Sequence, residues 1–181
     1  YMNILNIAVI FSTGKYELTI LLPKSDRESV NLLSLSGLIS VGVSLVLLLL
    51  VATLRQPVGR WLGSEEIVEW LWFIPLSTLL VGLFQSLRNF SNRQKRYRLI
   101  AGSNIAQSLS NSLLKLGLGL VIVGAAGLIY GVVFGQLVGF LVFFLAHLGM
   151  KRGRSGWVSR SEMGRLARQY SLFPRYNMWQ G

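Results

Sequence analysis

The chain has 181 residues, 52% of them hydrophobic and only 14% charged, against about 25% charged in an average soluble domain. Its net charge of +11 would suggest a nucleic-acid partner on a soluble face, but the mean hydropathy of +0.52 and the placement of the charge between apolar runs exclude that reading. With no cysteine, disulfides, thiolate metal sites and a Cys nucleophile are excluded as well.

In chain order, residues 2–22 read as a first span interrupted by a polar patch. Met2–Ile10 is apolar, Ser12 to Glu17 break the run, and Leu18–Leu22 resume it. Pro23 ends it, and 23–30 forms a turn in which Ser25 and Glu28 have capping-box spacing. The second span covers 31–54. The loop after it balances Arg55 and Arg60 against Glu65, Glu66 and Glu69, with Trp61, Trp70 and Trp72 at its edges, where amphipathic rings favour the headgroup zone. Ser64 is a candidate N-cap for the third span, 67–87, in which Pro75 is expected to produce a kink.

A basic loop, 88–98, carries Arg88, Arg93, Lys95, Arg96 and Arg98. The fourth and fifth spans, 100–123 and 126–149, then form a hairpin through uncharged Gly124–Gly127. The segment 151–181 is a basic linker. Within it Ser159 and Glu162 have capping-box spacing, and Met163, Leu166, Ala167 and Tyr170 share one helical face. That pattern is expected of an interfacial helix lying on an anionic inner leaflet, or of a solvated linker, before a further span begins. Positive charge thus collects in alternate gaps, so loops 23–30, 88–98 and 151–170 are expected to be cytoplasmic. The fold class expected is an all-α integral membrane protein, a polytopic bundle of about five spans. The chain starts at Tyr1 and stops at Gly181 after an interrupted apolar start, as an internal piece of a longer protein would.

The fourth span has the most informative face. Asn104, Gln107 or Ser108, Asn111 and Lys115 recur at spacings of three and four and form one stripe. Lys115 lies about nine residues from Gly124, roughly 13 Å along a helix. An ammonium at that depth costs about 2.5–3.5 kcal/mol on insertion scales. Two readings follow: a hydrated cavity in which Lys115 attracts an anion, or a structural Lys paired with a carboxylate. Glu17 is the natural partner to test; Lys15, two residues away, does not share its helical face, so either one faces the cavity and the other the inner surface, or both sit at an interfacial helix end. The fifth span carries Gly127, Gly131, Gly135 and Gly139, a helix-packing edge. Gln136 and His147 lie on the same helix, His147 as a packing residue near its inner end. No phosphate loop, zinc-protease signature or Cys/His set is present, so neither catalysis, a metal nor a cofactor is expected.

The runs Thr13-Gly-Lys-Tyr-Glu-Leu-Thr-Ile-Leu-Leu-Pro-Lys-Ser-Asp and Asn31-Leu-Leu-Ser-Leu-Ser resemble the second and third spans of bacterial polysaccharide-biosynthesis flippases. These belong to the multidrug/oligosaccharidyl-lipid/polysaccharide exporter superfamily. Asn92-Arg-Gln-Lys-Arg-Tyr-Arg-Leu-Ile-Ala, the polar span after it, Gly127-Leu-Ile-Tyr-Gly and Phe173-Pro-Arg-Tyr are similar to further parts of that family. The resemblance implies one half of a two-bundle, inner-membrane transporter that moves an undecaprenyl-pyrophosphate-linked glycan by alternating access. Its implied partners are that glycan, the bilayer, the remaining transporter half and polysaccharide assembly proteins. Lys115 and Lys15 would then contact the headgroup or anionic sugars. A drug/cation antiporter of the same superfamily would need a cavity carboxylate, for which only Glu17 offers itself. A non-transporting scaffold for glycan assembly would use the glycine edge and the basic segment instead.

Overall fold

The computed structural model describes residues 5, 6, 8, 9, 12, 16–23, 25–62, 65–121, 125–148 and 157–170. Lys15, Lys24 and Ser64 lie outside them, as does most of the expected first span. The elements are α1 (Tyr16–Thr19), α2 (Asp26–Leu62), α3 (Glu65–Trp70), α4 (Phe73–Arg93), α5 (Tyr97–Val121), α6 (Ala125–Leu148) and α7 (Arg160–Gln169), with no strand among the described residues.

Among the described residues, three helical stretches are long and apolar enough to cross a membrane: Asp26–Leu54, Val68–Arg93 and Gly127–Leu148. α5 has the length, 25 residues, but not the composition, because its amides, serines and Lys115 dilute the apolar content. The protein is an all-α membrane helix bundle. Its order in space differs from its order in sequence. α2 packs on α4, α4 on α6, and α6 along α5, whereas the sequence neighbours α4 and α5 touch far less. Exposed apolar surface follows from that arrangement: Ile105, Leu109, Leu113 and Leu116 on α5 are 57–69% exposed, a run of greasy side chains on one flank of the helix.

Small hydroxylated residues let α2 and α4 approach. Ser36, Ser40 and Ser44 are buried at four-residue spacing on α2. Ser36 Oγ meets Ser86 Oγ at 2.6 Å, and Ser44 Oγ donates to the Pro75 carbonyl at 2.8 Å. A methyl group on Gly82 would fall 2.6 Å from Ser40 Oγ and 3.3 Å from Ser12 Oγ. Ser12 and Ala8 of the first segment thus sit against the α2/α4 groove, Ala8 with Leu71 and Ile74. Such interhelical bonds average about 0.6 kcal/mol in membranes. A double-mutant cycle with Ser36→Ala and Ser86→Ala, read from unfolding in mixed micelles, is expected to return a coupling of about that size.

Pro75 breaks the third span rather than kinking it. α3 stops at Trp70, Leu71 and Trp72 form a turn, and Pro75 occupies the first turn of α4. There its missing N–H costs no intrahelical bond, since first-turn donors have no partner in any case. The break is packed by Trp70, Phe73 and Tyr130, whose rings stand 5.5–5.9 Å apart.

The basic loop is shorter than the sequence suggests. α4 continues to Arg93 and α5 starts at Tyr97, so most of the cations sit on helix ends. Lys95 takes a left-handed conformation (φ 56°), its N–H donating to Asn92 O while that of Arg96 donates to Ser91 O. This is a Schellman closure with lysine in place of the usual glycine.

The described parts of all three basic segments gather at one end of the bundle. Arg93 donates to the Pro23 carbonyl and lies 3.4 Å from Asp26. Arg165 bridges Glu162 at 2.8 Å and Glu28 at 2.9 Å, and these two carboxylates raise its pKa further above its ordinary value. Asn31, fully buried, donates to the carbonyls of Arg27 (2.9 Å) and Trp157 (2.8 Å) and accepts from Ser159 N–H (2.8 Å). The expected capping box of α7 does not form as drawn: Asn31 takes the Ser159 N–H that Glu162 would have met, and Glu162 turns to Arg165. Part of the apolar face of α7 meets protein. Leu166 is fully buried with Ile20, Leu32 and Phe90, flanked by Tyr170, and Tyr16 donates from its hydroxyl to the Ala167 carbonyl at 3.2 Å.

Candidate functional site

Two polar features stand out inside the bundle, and they lie apart. The first is the stripe on α5. Asn104, Gln107, Asn111 and Lys115 are all half-buried, and the glycine edge of α6 lies directly against the last three. A Cβ added to Gly131 would fall 2.6 Å from Lys115 Cγ. One on Gly135 would fall 2.8 Å from Asn111 Cβ, and one on Gly139 would fall 3.1 Å from Gln107 Cβ. The antiparallel register therefore advances four residues on each helix at every step. Gly127, also buried, begins the same row. The polar stripe and the glycine edge are two sides of one seam.

Orphaned groups mark the same helix pair. Asn111 Oδ1 and Gln136 Oε1 are buried without a hydrogen-bond partner, and Gln136 is only 8% exposed. Leaving such an acceptor unmet costs about 1–3 kcal/mol, so the hairpin holds a reserve of unmet polarity. Among the described residues Lys115 makes no ion pair. The suggested Glu17 partnership does not occur. Glu17 shares a cavity with Ile100, and Lys115 lies 15 residues further along α5, roughly 22 Å at 1.5 Å per residue.

That cavity is the second feature, with a volume of about 380 Å³. It lies at the basic end, lined from α1, the last turns of α4 and the start of α5. Gln85, Arg88, Asn89 and Asn92 line it from one face of α4; Glu17 and Tyr97 complete its polar wall. Leu18 and Ile100 supply its apolar part. Asn89 is held in place by donating to the Glu17 carbonyl oxygen at 3.1 Å. Of the residues expected to form a site, only Glu17 reaches this cavity; Asn104, Gln107, Asn111 and Lys115 belong to the seam, and Lys15 is outside the described residues. His147 packs against Phe90 and Phe143, with Nδ1 2.8 Å from Phe143 O, as a packing residue does.

The missed residues carry a legible signal. Gln85, Arg88 or Asn89, and Asn92 fall at spacings of three and four, one helical face. Placing the end of the third span at residue 87 divides that face between a span and a loop.

A bundle of apolar helices with most of its cations at one end, hydroxyl and glycine seams between helices, and a polar cavity at the basic end defines a polytopic membrane protein. The family model described as polysaccharide biosynthesis protein matches residues 2–166, and the chain belongs to that family. No curated protein and no solved structure matches it.

Proposed function

We propose that the protein is one bundle of a transporter that carries a lipid-linked oligosaccharide across the bacterial cytoplasmic membrane for cell-surface polysaccharide synthesis, with no catalysis of its own. The observation that carries this reading is family membership over residues 2–166 in a chain built as a membrane bundle. The resemblance to polysaccharide flippases supplies the undecaprenyl-pyrophosphate carrier. The remaining transporter half would face this bundle, and the two would rock about a polar path while the lipid tail stays in the bilayer. The basic end faces the cytoplasm in this reading, by the positive-inside rule.

Within that path Lys115 is the residue assigned to the anionic headgroup. It is the sole charge between Leu99 and Gly124 and lies beside the unmet Asn111 oxygen on the same stripe. Asn104, Gln107 and Asn111 would hydrogen-bond the passing head. The test is translocation of a labelled lipid-linked glycan by the parent protein in proteoliposomes. Lys115→Ala is expected to slow it about tenfold or more, the worth of one charge-assisted hydrogen bond. Unchanged translocation would remove Lys115 from the path.

A further inference from the structure

We propose that the cavity at the basic end reads sugar: it binds a neutral monosaccharide unit of the glycan through its hydroxyls, not the phosphates of the carrier. The proposal rests on the transport reading above and names what this part of the protein recognises.

Its chemistry points away from a polyanion. Among the described residues the wall carries one guanidinium, Arg88, and one carboxylate, Glu17, so the lining itself holds no excess of positive charge. The exposed cations Lys95, Arg96 and Arg98 are not among the lining residues. A polyphosphate would have been better served by those side chains than by a wall containing Glu17, which is 6% exposed.

What the wall offers instead is paired donors and acceptors. Gln85, Asn89 and Asn92 each carry an amide N–H pair and a carbonyl oxygen. They share one face of α4 over two turns, about 10 Å. A sugar ring presents neighbouring hydroxyls, each both donor and acceptor, and planar amides and a guanidinium meet such pairs two bonds at a time. Tyr97, at the start of α5 and 61% exposed, adds an aromatic face and a phenol, the amphipathic combination that suits a ring with apolar C–H edges. Leu18 and Ile100 keep part of the wall dry. The volume lies within the usual range of small-ligand pockets, enough for a monosaccharide and too little for a whole oligosaccharide.

Position supports the same assignment. The cavity lies at the end expected to face the cytoplasm, where a newly made lipid-linked glycan presents its head. Lys115 is roughly 22 Å away along α5, so sugar reading and anion attraction are carried by different residues.

The test is saturation-transfer NMR on the full chain in detergent micelles. The probes are methyl glycosides of glucose, galactose and N-acetylglucosamine, with inorganic pyrophosphate as competitor. At least one glycoside is expected to receive saturation, to resist excess pyrophosphate, and to weaken about fivefold or more in Gln85→Leu and in Asn92→Leu, the worth of one hydrogen bond. Asn92 is exposed, so its variant keeps the fold; circular dichroism checks both. Binding by none of the glycosides, displacement by pyrophosphate, or binding that survives in both variants overturns the proposal. Translocation by the parent protein is scored separately. Translocation without glycoside binding sinks the sugar site alone, and glycoside binding without translocation sinks the transport reading alone.

Discussion

Alanine at Gly135 is expected to destabilise the α5/α6 hairpin by about 1–3 kcal/mol, the cost of overpacking a closed contact. The added methyl would lie 2.8 Å from Asn111 Cβ, 3.1 Å from Gln107 O and 3.3 Å from Asn111 Cα. None of these atoms is the free end of a flexible side chain, so relief requires the helices to part. Gly131→Ala meets Lys115 Cγ at 2.6 Å, which can swing, but also two backbone atoms at 3.2 Å, so it should follow closely. Gly102→Ala is the control: nothing lies within 4 Å of its added methyl, and alanine favours the helix by about 1 kcal/mol over glycine. Unfolding in mixed micelles measures all three. Equal tolerance of Gly135→Ala and Gly102→Ala would show that the seam is not closed as described.

Asn31→Ala is expected to release α7 from the bundle. The buried amide makes three hydrogen bonds, two of them to the segment 157–159 that leads into α7. Their loss orphans a carbonyl and an N–H, about 2–3 kcal/mol for the pair. Amide exchange across residues 160–169 should then accelerate roughly 30- to 150-fold. Asn31→Asp keeps the acceptor for Ser159 N–H and loses the donors, so an intermediate rate is expected. The Leu166 side chain is unchanged in both variants, which separates loss of the clamp from loss of the apolar residue. Exchange in α7 that stays at the wild-type rate in Asn31→Ala would place the docking of this helix on Leu166 alone.

Helix placement was largely legible because uncharged runs of membrane length are long, one-dimensional signals. The α5 stripe and the α6 glycines were equally legible, each by its four-residue spacing. What periodicity does not contain is the identity of the opposing surface. The spacing allows the stripe a cavity or a carboxylate partner and leaves the helix opposite the glycines unspecified, while the structure sets Gln107, Asn111 and Lys115 against Gly139, Gly135 and Gly131. The face of α7 shows the same limit: Met163, Leu166 and Ala167 make it amphipathic, but lipid and protein satisfy that pattern alike. Pro75 was misplaced for a different reason, since a proline in a first turn and one in mid-span look identical until the break at Leu71 is known. The cavity went unseen because its α4 face straddles the boundary drawn between apolar and basic sequence.

The spatial order α2, α4, α6, α5 bears on biogenesis. When α5 leaves the ribosome, the helix it will rest on has not yet been made, and Lys115 and the amide row must find shelter from the acyl chains. Insertion of α5 must therefore wait for α6, the two entering as a pre-paired unit that slides in beside α4. Shortening the glycine row should show up first as a defect in membrane integration, before any transport step is reached.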